Sequence, residues 1–303
     1  MEASAVSMSE GKNQQGVVST ELPKGSQVLK YEKRGGLWHI LDLAVCIWIW
    51  HYPFWGLGMY TILYAHYHFS IISGTAAIVI FVVYHLQLAF WRPQLRSGFP
   101  WFHYVLYNPI LDSFLHYMGA THIREGPPID PERKILLAMC PHGLLGICRG
   151  GPIGTAWPTL YPGVNLRWGS FSAAYYMTGI REFSLLVGAV DAGKKTLIGR
   201  CEAGESLALL PGGIQEMLET DGNSKVTKLC LKGRYGFVKL AKEQDLLLVP
   251  CYCFGEKFTC NKYILPFWRT LHKMRLAGAM FFGRYGTLLP VNDRPVGWVY
   301  GQA

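Results

Sequence analysis

The stretch Ile135-Leu136-Leu137-Ala138-Met139-Cys140-Pro141-His142-Gly143 decides the fold. Its first half is an unbroken apolar run, suited to a strand buried on both faces. Its second half is a small-residue turn that leaves an imidazole and a glycine at the strand's end. Open α/β sheets place their ligands at that edge. Histidine titrates near neutral pH and is well suited to take a proton from a hydroxyl. The glycine lets a carbonyl approach the backbone closely. A lone histidine is more often structural than catalytic; the strand before this one and its Pro and Gly neighbours weaken that alternative.

Working outward, Ser206–Leu210 and Leu246–Cys251 are two more short apolar runs bounded by Gly or Pro, and read as buried strands. Thr196–Gly204 and Val226–Glu243 read as helices. Gly126-Pro127-Pro128-Ile129-Asp130-Pro131 is a turn-rich boundary before this α/β pattern. No internal repeat is visible.

Residues before the boundary have another character. Residues 1–36 are polar and predict a disordered arm. From Leu37 to Ala65 the only formal charge is Asp42, and from Phe69 to Trp91 there is none. Each run reaches the roughly 20 residues that cross a bilayer. Lys24, Lys30, Lys33 and Arg34 precede the pair and Arg92 and Arg96 follow it, whereas the connection at His66, Tyr67 and His68 has no Lys or Arg. Residues 37–91 therefore predict a transmembrane or re-entrant hairpin with both flanks cytoplasmic. The alternative is a very apolar helical pair buried in a soluble protein. Residues 92–303 would form the cytosol-facing domain.

Composition agrees with a membrane. Of 303 residues, 16% are charged, against roughly 25% in an average soluble domain. Aromatics reach 14%, and net charge is +9. Scattered basic residues without a nucleic-acid motif argue against a nucleic-acid partner and for anionic lipid or a phosphate-bearing substrate. The eight cysteines form no CxxC pair and read as free thiols in a reducing compartment.

Three further segments can carry chemistry. Pro211-Gly212-Gly213-Ile214-Gln215-Glu216 follows an apolar run; its glycines can turn backbone N–H groups toward an oxyanion, and Glu216 can pair with an imidazole or contact a ligand. A plain strand-to-helix turn with a first-turn Glu explains it equally well. Lys225, Lys228 and Lys232 would share one face of a continuous helix and could hold phosphates, or simply be solvated. Val249-Pro250-Cys251-Tyr252-Cys253-Phe254-Gly255-Glu256 could form the far wall of a cleft. Gly188 to Thr196 nearly spells a P-loop, but Lys195 stands where Ser or Thr should ligate magnesium. His66, His68, His103, His116 and His122 are too dispersed for a di-iron site, so no metal is expected; they read as interfacial.

Taken in order, these segments resemble the type-2 diacylglycerol acyltransferase family, which includes monoacylglycerol and wax-ester acyltransferases. The blocks are Pro141-His142-Gly143, Arg181-Glu182-Phe183, Gly212-Gly213-Ile214-Gln215-Glu216, Arg234-Tyr235-Gly236-Phe237-Val238-Lys239-Leu240-Ala241 and Pro250 through Phe254-Gly255-Glu256. Five blocks in one order are specific where a single one is not. The resemblance implies an acyltransferase-type α/β sheet flanked by helices behind a membrane hairpin. It implies transfer of an acyl group from fatty acyl-CoA to diacylglycerol, giving triacylglycerol, with no cofactor beyond acyl-CoA as co-substrate. A monoacylglycerol or fatty-alcohol acceptor, or an inactive lipid-droplet tether, are the alternatives. His142 would be the general base, with Glu216 orienting it or binding substrate. Gly143, Gly212 and Gly213 would hold the oxyanion. Pro141, Arg181, Glu182, Arg234, Phe254, Gly255 and Glu256 would contact substrate, and Lys228 and Lys232 the CoA phosphates. The endoplasmic-reticulum membrane and lipid droplets are the expected locations, and a homo-oligomer is left open. Two departures stand out. Cys140 occupies the place where many relatives carry a first histidine, which raises a covalent Cys140 route as a minor alternative. The chain also stops soon after Arg294-Pro295-Val296-Gly297, short of the family's further helical segment.

Overall fold

The apolar run of residues 135–140 becomes a central strand. In a computed structural model, which describes residues 6–8, 22–51, 64, 74–144, 146–264 and 279–303, the strands are, in chain order, β1 (Val6–Met8), β2 (Gln27–Lys30), β3 (Thr121–Arg124), β4 (Ile135–Cys140), β5 (Leu166–Ser170), β6 (Ala189–Asp191), β7 (Ser206–Leu209), β8 (Thr227–Leu229), β9 (Leu247–Phe254), β10 (Asn261–Ile264), β11 (Ala279–Phe282) and β12 (Gly297–Tyr300). One sheet has the order β2-β3-β12-β9-β4-β7-β5-β6, while β1 pairs with β8 and β10 with β11.

The five strands β9, β4, β7, β5 and β6 run parallel. Their C-terminal ends therefore open on one edge of the sheet, which is where the site lies. All six residues of β4 are buried. Ile135, Leu137 and Met139 enter one apolar cluster and Leu136 and Ala138 another. That alternation is the two-residue period of a strand covered on both faces. Helices Lys194–Glu202 and Gly236–Glu243 cover the second face through Leu197, Cys201, Leu240 and Ala241. The first face is covered by helix Asp112–Met118 and by Trp157 and Trp298. The large mixed sheet flanked by helices thus answers to the α/β expectation.

Three expectations need correction. First, residues 226–243 are not one helix. Residues 227–229 pair as β8, Gly233 takes a φ of +81°, and the helix starts only at Gly236. Lys225, Lys228 and Lys232 consequently share no helix face. Second, the N-terminal arm is ordered in part: Gln27–Lys30 is the edge strand β2, antiparallel to β3.

Third, the apolar runs appear as helices Gly36–His51 and Gly74–Phe90, of 16 and 17 residues. Among the described residues, no helix is long and apolar enough to cross a membrane. The connection through His66, Tyr67 and His68 lies outside them. The first helix is tied to the domain by its one charge. Asp42 is buried, pairs with Arg34 and sits where Arg34 also reaches Ser113 Oγ at 3.1 Å. A buried carboxylate needs such a partner, so this helix keeps one face on the protein. Its other face leaves Leu37, Trp38, Ile40 and Ile47 exposed, and the second helix exposes Ile78 through Val83.

Candidate active site

His142 follows β4 on the wall of an open cleft of about 430 Å³, bordered by Gly169 near the end of β5, Ala192 after β6 and Pro211 after β7. The ring is fixed by its own loop: Nδ1 lies 3.0 Å from the Gly143 carbonyl. A carbonyl oxygen only accepts, so Nδ1 carries the proton and Nε2 keeps the lone pair. Burial, reinforced by the Arg149 charge, pushes the His142 pKa down to about 4. The imidazole is therefore neutral at physiological pH.

The loop is held by two buried carboxylates, neither of which touches the ring. Glu216 accepts the His142 backbone N–H and, at 2.9 Å, the Cys230 N–H. Glu256 accepts the Ile147 N–H at 2.9 Å. Burial pushes the Glu256 pKa up to about 8, against the pull of the amides. Both are pressed against glycines. A Cβ on Gly143 would fall on Glu256 Oε1, and one on Gly212 would fall on Glu216 Oε2. Gly143 also takes a φ of +64°, so this turn is built for glycine.

The expected site residues sort accordingly. His142 and Gly213 line the cleft. Glu216 corrects its expected role as an imidazole partner, because its oxygens are directed to amides. Gly213 spends its N–H on the Leu210 carbonyl at 3.2 Å, which argues against an oxyanion role. Gly143 and Gly212 back onto the carboxylates rather than walling the cleft. Arg181 and Glu182 are structural: Arg181 is buried, pairs with Glu182 at 2.9 Å and donates to the Trp91 carbonyl at 2.7 Å. They fasten the end of the second apolar helix to helix Ile180–Leu186. Arg234 is exposed, donates to Gln215 Oε1 at 3.3 Å and stands beside Gly213 outside the cleft wall. Pro141, Phe254, Gly255 and Glu256 border a separate groove of about 310 Å³.

Lys228 and Lys232 are exposed and off the cleft wall. Lys194 and Lys239 take that place; both line the cleft and both pair with Glu243, at 3.3 and 3.6 Å. Lys194 lies inside the near P-loop segment Gly188 to Thr196. Arg149 is the other residue missed. It was findable as the only charged residue between Lys134 and Arg167. It borders the cleft and also an apolar cavity of about 220 Å³ walled by Trp48, Trp50, Phe114 and Trp168.

Burial pushes the Cys140 thiol up to about 12 and raises Cys148 as well. Neither is poised as a thiolate, so the covalent Cys140 route finds no support. His122, expected at an interface, is buried in β3 and stacked on Trp298 with ring centroids 4.8 Å apart.

Acyl-CoA wax alcohol acyltransferase 2 of Homo sapiens is 27% identical over 238 residues, covering 71% of this chain and 69% of that protein. Diacylglycerol O-acyltransferase 1 of Schizosaccharomyces pombe is 29% identical over 149 residues, covering 47% and 42%. Diacylglycerol O-acyltransferase 2 of Danio rerio is 28% identical over 153 residues, again covering 47% and 42%. The chain spans about half the length of the first relatives it matches. No solved structure matches it. Residues 70–301 match the diacylglycerol acyltransferase family, so the segment holding β4, its histidine loop and the cleft lies wholly within the match, and the chain belongs to that family.

Proposed function

We propose that the protein is an acyl-CoA-dependent O-acyltransferase that esterifies diacylglycerol to triacylglycerol, with His142 as general base. The observation that carries this reading is the Nδ1 contact to the Gly143 carbonyl on a ring that borders the cleft, which leaves Nε2 to take the acceptor's hydroxyl proton. Base assistance of this kind is typically worth about 10²–10⁴ in rate. The thiolate of coenzyme A is a good leaving group. Lys194 and Lys239 on the cleft wall suit the phosphates of that substrate, and the apolar cavity beyond Arg149 suits a fatty chain.

A wax-ester reading has one observation in its favour: the human wax alcohol acyltransferase aligns over more of this chain than the diacylglycerol enzymes quoted above. Membrane association at the cytosolic face of the endoplasmic reticulum, and on lipid droplets, is supported by the exposed apolar faces of the first two long helices. At 1.5 Å per residue each is about 25 Å long, against a hydrocarbon core of about 30 Å.

The test is a microsomal assay with labelled oleoyl-CoA against diacylglycerol, monoacylglycerol, fatty alcohol and lysophosphatidate. Ester formation from diacylglycerol supports the assignment; preference for fatty alcohol moves it to wax synthesis, and no product at all supports a tether. His142→Ala should abolish transfer while membrane association persists. Transfer that survives in a well-folded variant removes His142 as the base.

A further inference from the structure

We propose that Arg149 is a further catalytic residue, its guanidinium holding the negatively charged oxygen that forms on the acyl carbon during transfer. The inference rests on the acyltransferase reading above. Its starting point is a charge with no counter-charge: among the described residues Arg149 has no ion-pair partner, and its Nε is sealed from solvent without a hydrogen-bond acceptor. One Nη1 contact, to Ser170 Oγ at 3.2 Å, and the Trp168 ring at 5.9 Å are what orient it. A guanidinium left this way inside a protein is costly unless it meets an anion.

Its position identifies the anion. Arg149 is shared by the walls of the polar cleft and the apolar cavity, so it stands where a charged head group and a fatty chain would join. A Cβ built on Gly146 would touch Arg149 Nε at 3.9 Å and His142 Cε1 at 4.0 Å, so the two side chains flank the same glycine. Base and cation thus lie side by side on the wall of one cleft. Of the glycine donors that could otherwise serve, Gly213 is bonded to the Leu210 carbonyl, and Gly143 and Gly212 do not line the cleft.

The step balances as follows. The acceptor hydroxyl oxygen attacks the thioester carbonyl carbon, and its proton passes to His142 Nε2. The C=O electron pair moves to oxygen, giving the oxyanion beside Arg149. That pair then re-forms the carbonyl, the C–S bond breaks, and the coenzyme A thiolate takes the proton from His142.

The experiment compares wild type, Arg149→Gln and Arg149→Lys with oleoyl-CoA and the best acceptor, after size-exclusion and thermal-melt checks of folding. Losing one preorganised oxyanion donor typically lowers kcat by 10²–10³. Arg149→Gln should therefore lose about that much kcat with the KM for oleoyl-CoA within threefold. Arg149→Lys keeps the charge without the planar fork and should lose about tenfold. If the glutamine variant does not fold, the lysine variant alone decides. Unchanged kcat, or a loss confined to KM as expected of a ground-state phosphate or carboxylate site, overturns the proposal. A wild-type protein inert toward every acceptor instead refutes the acyltransferase reading, and the two failures are distinguishable.

Discussion

Replacing Glu216 separates a scaffold from a catalytic carboxylate. Its two oxygens accept the N–H groups of His142 and Cys230. Glu216→Ala removes both acceptors and leaves two partly buried amides unpaired. An unsatisfied buried donor costs about 1–3 kcal/mol. With both sites only half-buried, the pair should cost about 2–4 kcal/mol, a large share of the roughly 5–15 kcal/mol that holds a domain together. For a domain of this size that is a fall in Tm of about 5–15 °C. Glu216→Gln keeps one carbonyl oxygen and turns an NH₂ toward the second amide, so its Tm should fall between alanine and wild type. Because neither oxygen reaches the imidazole, the glutamine variant should keep kcat within about tenfold when assayed well below its Tm. The measurements are a thermal melt in detergent and initial rates of ester formation. A Glu216→Gln protein that melts like wild type yet is as dead as His142→Ala would refute the reasoning, because the carboxylate would then act on the ring or the substrate.

The neutral form of His142 is the working form, and its pKa is pushed down to about 4. kcat/KM should rise with pH through about 4 and be flat from 5.5 to 7.5; an inflection near 6.5 in the pH profile would show a solvated, unperturbed ring. Glu256 is pushed the other way, to about 8 from 4.5. The folded state then binds its proton more tightly than the unfolded chain, so this stability is complete below about pH 4.5 and lost as pH rises through about 8. Glu256→Gln should flatten the dependence of Tm on pH across that window, and an unchanged slope would assign it to other groups. Lys194→Glu combined with Lys239→Glu should raise the KM for oleoyl-CoA about tenfold at low salt, with kcat retained. The same reversal at Lys228 and Lys232 should change KM less than twofold; equal effects from both pairs would return the phosphate site to residues 228–232.

What was legible in the sequence was whatever a short-range pattern encodes. The apolar run Ile135–Met139 ending at Pro141-His142-Gly143 specifies a buried strand and the turn after it, and β4 extends that run by one residue. Ser206–Leu210 likewise becomes β7, one residue shorter, and Leu246–Cys251 becomes β9, which runs on to Phe254 and is only partly buried. Lysine spacing at residues 225, 228 and 232 mimicked a helical period, yet that period describes a face only if the backbone is helical. Gly233 and the Cys230 amide held by Glu216 make it otherwise. The roles of Glu216 and Glu256 were illegible for a different reason. A carboxylate 74 residues from His142 and one 109 from Ile147 meet the loop only after the parallel strands bring three chain segments to one edge. Their targets are backbone amides, which every residue carries, so nothing in the local sequence names them. The glycines gave the partial signal: Gly143 and Gly212 leave room for carboxylate oxygens rather than for substrate. A motif glycine beside a motif acid can therefore mark a packed joint as readily as an oxyanion site, and geometry is what tells the two apart.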